Sequence, residues 1–331
     1  MTQSTSEGKL APPPADAAAD LSAHPRFIHL RRTLSGLGVP GWIGLAIVLV
    51  WIAAAIAGPL AGDGASASAD NVQIFAGASA NHLLGTDYLG RDMLDRVMMG
   101  ARYTVGLALI ATLLASGVGT ALALLAIVGG AKLDAVMSRT LDTLTAIPSK
   151  MFALIMVAAF GSSTVMLTAT AAIIYLPGAY RIARSLAVNI HAMDYVAVAR
   201  TRGEGTAYIM LQEILPNILS PMLADLGLRF VYVVLLLASL SFLGLGIQPP
   251  DADWGSLVRE NLDGLAEGAL AVIAPALAIA SLTIAVNLVI DNLPGGARKA
   301  SRDARRQAKL NEQFNASRRA QIAATTDGEA R

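Results

Sequence analysis

The chain of 331 residues contains no cysteine, and Asp, Glu, Lys and Arg together make up only 15% of it, against roughly 25% in soluble domains. Without cysteine there is no disulfide framework, no thiolate metal site and no cysteine nucleophile. The formal charge of +1 supplies no basic field for a polyanion, which argues against nucleic acid as a partner. Aromatic residues are also scarce, at 5%. What remains is apolar: 54% of the residues before glycine is added, more than a soluble chain of this size can hide from water. A soluble enzyme and a disordered protein are excluded on that ground, and the excess apolar surface must face lipid.

Crossing the hydrocarbon core as a helix takes about 20 apolar residues. Six segments qualify, at about 41–60, 103–128, 137–160, 164–183, 218–246 and 268–290. The reading is therefore an all-α integral membrane protein with six transmembrane helices. Residues 1–26, rich in Ala and Pro, read as a disordered tail, and 293–331 as a solvated tail whose removal beyond 305 is tolerated. The first apolar run starts too late for a secretory signal. Between the tails, 27–292 forms the transmembrane domain.

Lys and Arg near the ends of the segments set orientation. Arg26, Arg31, Arg32, Lys132, Arg139, Arg181, Arg184, Arg200, Arg202, Arg298, Lys299 and Arg302 flank one side, against Arg91, Arg96, Arg102 and Arg259 on the other. Both termini are accordingly expected in the cytoplasm. This leaves outer loops at 61–102 and 247–267 and one sizeable inner loop at 184–217.

Catalytic patterns are missing. A phosphate-cradling loop needs a lysine followed by Ser or Thr, and none of Lys9, Lys132, Lys150, Lys299 or Lys309 has that neighbour. His24, His29, His82 and His191 lie outside the apolar segments, so no Ser-His pair forms at membrane depth. No cofactor is implied, and any ATP-derived energy must come from another subunit.

The inner loop divides into two short helices. Asp194 suits the N-cap of a first helix through Arg202, and Gly203 the left-handed position that ends it. Thr206 can cap a second, with Tyr208, Leu211, Gln212 and Leu215 on one face, until Pro216 and Pro221 redirect the chain. With Ala197 and Ala199 giving it a small apolar side, the element fits a groove on another protein or, equally well, lies on lipid headgroups.

This segment resembles the cytoplasmic signature loop of bacterial ABC importer permeases, and three further stretches narrow the resemblance. Leu84-Gly85-Thr86-Asp87-Tyr88-Leu89-Gly90-Arg91-Asp92, Ser239-Leu240-Ser241-Phe242-Leu243-Gly244-Leu245-Gly246, and Gln248-Pro249-Pro250 with Trp254-Gly255 are similar to the dipeptide, oligopeptide and nickel permease family over about 27–292. Gly203, Leu215 and Pro216 match the signature, whereas Ala197 stands where that family has Glu. The resemblance implies the type I ABC importer permease fold. It also implies a two-helix cytoplasmic coupling loop, docked on one of two ATP-binding subunits, and a translocation path shared with a second homologous permease. An extracytoplasmic solute-binding protein would deliver small peptides or similar solutes. An ion-gradient-driven secondary transporter is the alternative, for which paired broken helices and internal repeats are expected.

Intramembrane charges are costly and often functional. Asp225 and Arg229, four apart on one helix, are expected to pair. Lys150, in the third crossing just after Pro148, is expected either to face the translocation path and meet a polar or anionic part of the solute or to pair with the partner permease. The Gly85 to Asp92 stretch reads mainly as a structural turn.

Overall fold

The computed structural model describes residues 38–61 and 73–292; the tails expected at 1–26 and 293–331 lie outside them. Lipid offers backbone groups no partners, so each crossing closes its own hydrogen bonds as a helix. Helix α1 spans Val39–Ala61, α2 Met93–Gly129, α3 Ala131–Thr145, α4 Ser149–Phe160 and α5 Thr164–His191. Then follow α6, Asp194–Thr201, and α7, running unbroken over Thr206–Phe242. Helix α8 covers Trp254–Glu260 and α9 Leu270–Asn292. Among the described residues the fold is all helical, with a single isolated β-bridge, Thr86 to Asp92.

Five of these helices are long and apolar enough to cross a membrane, and six crossings result if α3 and α4 count together. The segment expected as the third crossing differs: α3 and α4 meet at a bend of 82° instead of forming one helix over 137–160. Pro148 explains the break, since a proline lacks the N–H that would continue the ladder and holds its predecessor out of the helical region. Two other segments are longer than expected. Helix α2 begins ten residues before Tyr103 because Asp92 accepts hydrogen bonds from the N–H groups of Leu94 and Asp95, a side-chain cap that starts the helix within the loop. Helix α5 continues past residue 183 to His191, so the inner loop is shorter than 184–217.

Helices α2 and α5 form the tightest pair. Ala101, Ala108, Ala115 and Ala123 of α2 and Ala171, Ala179, Ala183 and Ala187 of α5 are buried, and such small residues let two backbones approach closely where no hydrophobic driving force separates helix from lipid. At Gly119 a Cβ would stand 2.7 Å from that of Ala179 and 2.9 Å from the Leu176 carbonyl. Helix α1 lies against α2 and α9, where the indole of Trp51 donates to Ser281 Oγ at 3.0 Å.

At one end of the bundle, the two long loops fold together into a polar cap. Asp87 is fully buried; it accepts from the N–H groups of Leu89 and Arg91 and from Arg91 Nε at 2.7 Å. Arg96 reaches across to the Pro250 carbonyl at 3.1 Å and to Glu260 at 3.3 Å. Trp254, also fully buried, donates to the Val97 carbonyl at 2.8 Å and meets Trp51 edge to face, ring centres 4.7 Å apart. Asp253 caps α8 with a reciprocal pair of bonds to Ser256. Burial pushes the Asp253 carboxyl above the ordinary carboxylate range, and does the same to Glu260 against the opposing pull of Arg96.

Candidate functional site

At the opposite end, α5 hands over to α6 through Ala192 and Met193. Met193 takes the extended N-cap position without a side-chain bond, and Asp194 is already helical. The expected N-cap role of Asp194 is thus corrected: its carboxylate sits in the first turn, where it complements the positive end of the helix dipole. Thr206 is corrected in the same way, since Gly205 precedes the second helix in extended conformation and Thr206 is its first residue.

Helix α6 makes only two turns. Val196 and Ala199 are buried, Val196 in a core that includes Leu124, Tyr180, Ile209 and Ile214. Ala197 is exposed instead. The pair expected to form one small apolar side is split, because residues two apart on a helix point to nearly opposite faces. The exposed apolar surface consists of Tyr195, Val198, Tyr208 and Leu211.

Gly203 ends α6 at φ +83°. Its N–H donates to the Arg200 carbonyl at 3.0 Å, and the Glu204 N–H to the Ala199 carbonyl at 3.2 Å. These two bonds are the paired closure of a glycine-terminated helix, and they satisfy carbonyls that would otherwise be left open. A side chain at 203 would meet nothing within 4 Å, so glycine is required here for its conformation and not for space.

Pro216 and Pro221 do not redirect the chain. Residues Ile209–Ile214 form a π turn, Leu215 and Pro216 follow in the first turn of regular α-helix, and the helix continues through Pro221 to Phe242. A π turn widens the helix by one residue, which gives the Pro216 ring room against the preceding turn. The Asn217 side chain then donates to the Glu213 carbonyl at 2.7 Å and to the Tyr195 hydroxyl at 3.2 Å, clasping α6 to α7. Tyr195, Val198, Ala199, Arg202, Glu204, Tyr208 and Glu213 border a surface pocket of about 240 Å³ between the two. Neither Val196 nor Asn217 was singled out from sequence. The three-residue spacing of Val196 and Ala199 carried a signal for the first; nothing local carried one for the second.

The intramembrane charges occupy two other places. Arg229 donates to Asp225 at 2.6 Å and to the Tyr175 carbonyl of α5 at 2.7 Å. Gly178 makes the second contact feasible, since a Cβ there would lie 2.9 Å from the guanidinium. Asp225 and Arg229 therefore tie α7 to α5, the two helices that flank the short α6. Lys150 stands apart from them, in the first turn of α4 beyond the break, on the wall of a groove toward α7 and α9.

Residues 115–299, which include the whole of this two-helix element, match the family described as the binding-protein-dependent transport system inner membrane component. The chain belongs to that family. Relatives of this permease include the dipeptide transport system permease protein of Alkalihalophilus pseudofirmus, 30% identical over 86% of the chain and 92% of that protein. The dipeptide transport system permease protein of Haemophilus influenzae is 33% identical over 66% of the chain and 74% of its own length. The glutathione transport system permease protein of Pectobacterium atrosepticum is 33% identical over 66% of the chain and 72% of its own length. The motif-based resemblance to peptide permeases holds across nearly the full length of the first of these. The permease is an integral membrane protein, all helical among the described residues apart from one isolated β-bridge, and its α6–α7 element and bent α3–α4 pair both lie inside the matched region.

Proposed function

We propose that this permease forms half of the translocation pathway of an ATP-driven importer of di- and oligopeptides or similar small solutes. A second homologous permease completes the path, and two cytoplasmic ATP-binding subunits supply the energy. An extracytoplasmic solute-binding protein delivers cargo to the capped end. On this reading both termini and the Asp194 to Pro216 element face the cytoplasm. The peptide class follows from what the relatives are named for.

The observation that carries the reading is the build of the α6 element: an inner side anchored in the core by Val196, and an outward face of Tyr195, Val198, Tyr208 and Leu211 beside a pocket. A helix face that presents apolar residues to a groove is a common protein-recognition mode. A force on that face passes into α5 through the buried core and into α7 through the Asn217 clasp. Helix α7 is 37 residues long, about 55 Å at 1.5 Å per residue, so it carries a displacement from the docking surface to the cap.

Co-purification without overexpression tests this. The whole transporter should retain ATPase subunits, and Val198→Asp with Leu211→Asp should release them while the permease stays in the membrane. Retention by the double variant would overturn the docking surface. A purified permease free of ATPase subunits, with uptake driven by a proton gradient, would support the ion-driven reading instead. The bend after Thr145 is the feature that favours such a carrier. Those carriers are expected to have breaks in corresponding positions of two halves, and one bent pair is found among the described residues.

A further inference from the structure

Three cations of α5 and α7 are matched with acids. Arg181 pairs with Asp142, Arg184 with Asp134, and Arg229 with Asp225. Lys150 pairs with no acidic group among the described residues. It lines a groove of about 670 Å³ whose walls include Leu235 and Phe242 of α7, Val258 of α8 and Ile279 of α9, and it is the one ionisable side chain in that lining. An ammonium is a compact, strongly hydrated charge. Set against lipid without a partner it would cost several kcal/mol, a cost that Arg229 avoids through Asp225. The groove is therefore a place for water and for an anion.

The remaining polar groups of the groove have the opposite character. Ser239 and Thr283 lie in its lining, and each spends its hydroxyl proton on its own helix, Ser239 on the Leu235 carbonyl at 2.6 Å and Thr283 on the Ile279 carbonyl at 2.9 Å. Their oxygens are left as acceptors, whereas lysine offers donors only. One cationic donor and two neutral acceptors on apolar walls complement a molecule with a carboxylate at one end and N–H groups along its length. The volume falls within the range of small-molecule sites.

Building on the import reading above, we propose that Lys150 is a specificity-determining residue that binds the free carboxylate of a short peptide in this groove, with Ser239 and Thr283 accepting its N–H groups. The test uses cells that produce the complete transporter and lack other peptide uptake, supplied with radiolabelled dialanine or with dialanine C-terminal amide. The unaltered transporter should favour dialanine. Lys150→Met should lower the ratio of dialanine to amide uptake about tenfold, the value of one charge-assisted contact, and Lys150→Arg should hold it near the unaltered value. The solute-binding subunit is the same throughout, so a changed ratio belongs to the permease.

An unchanged ratio in Lys150→Met overturns the carboxylate contact and leaves the import reading standing. So does an equal loss of both peptides at normal membrane level, the outcome expected if Lys150 pairs with an acid of the neighbouring permease. A Lys150→Arg variant as poor as Lys150→Met overturns it as well, because the effect would not follow charge. If the unaltered transporter takes up neither peptide, the import reading itself fails and takes the contact with it.

Discussion

At the capped end, Trp254 and Asn261 are buried and hydrogen-bonded to residues far away in the chain, as in the bond from Trp254 to Val97, 157 positions apart. At the other end, Tyr195, Val198, Tyr208 and Leu211 are exposed, and the hydrogen bonds that hold α6 against the start of α7 are local: the Gly203 closure and the Asn217 clasp, beside the π turn. The cap is tied together mainly by bonds between its own distant segments, so it is the more self-contained end. The α6 element is rigid on its inner side and unfinished on its outer side, the division expected of a part that another protein grips.

This contrast can be broken by substitution, and the largest effect belongs to the cap. Trp254→Ala removes a fully buried indole together with its bond to Val97 and its contact with Trp51. It should cost about 3–5 kcal/mol, read as a large fall in thermal unfolding temperature of the detergent-purified permease. A fall of only a degree or two would show that the cap is not the rigid end.

Between the two ends, Asp225→Ala strands the buried Arg229 guanidinium and should cost about 3 kcal/mol. Replacing both by Leu should recover most of that loss, with unfolding of the three variants as the measurement. If the double variant is as weak as the single one, the pair is not an isolated unit and the bond to Tyr175 dominates.

Gly203→Val forces a β-branched residue into left-handed backbone, at a cost of about 1–2 kcal/mol. The permease should remain folded while solute-stimulated ATP hydrolysis by the complete transporter falls. Normal stimulation would count against the glycine closure as part of the docking geometry.

A smaller effect comes from Asp253. Its carboxyl is held above the ordinary range by burial, so the folded state binds a proton more readily than the unfolded chain. The stability linked to it is present in acid and is lost as pH rises through the folded value. Asp253→Asn, which retains capping ability, should flatten that part of the pH profile of unfolding; an identical slope would assign it to another group.

The smallest change in stability is expected at the exposed face. Val198→Ala with Tyr208→Ala should move unfolding by about 0.5 kcal/mol or less while weakening capture of the ATPase subunits. Equal capture by variant and parent would remove the distinction between the two ends.

Much of this architecture was legible in the sequence because it follows from local rules. Apolar runs of membrane length mark the crossings, Pro148 announces a disturbance in the third, and Gly203 sits where a helix must turn left-handed. The misreadings share one cause, namely that a residue's surroundings were assigned from its nearest neighbours alone. Ala197 and Ala199 looked like one small side until the helix left Ala197 exposed and buried Ala199 beside the surface pocket. Pro216 looked like a redirecting break until the π turn before it left room for the ring.

Composition and the order of apolar segments determined that this chain lives in a membrane as a helical bundle, because transfer of side chains into lipid is a property of each segment taken singly. Tertiary structure alone decided that loops more than 150 residues apart close into one polar cap, and that Arg229 holds α5 to α7 through a carbonyl. It also decided that Lys150 faces a groove without an acid to meet it. Those are relations between distant segments, set by which surfaces fit once the helices have packed.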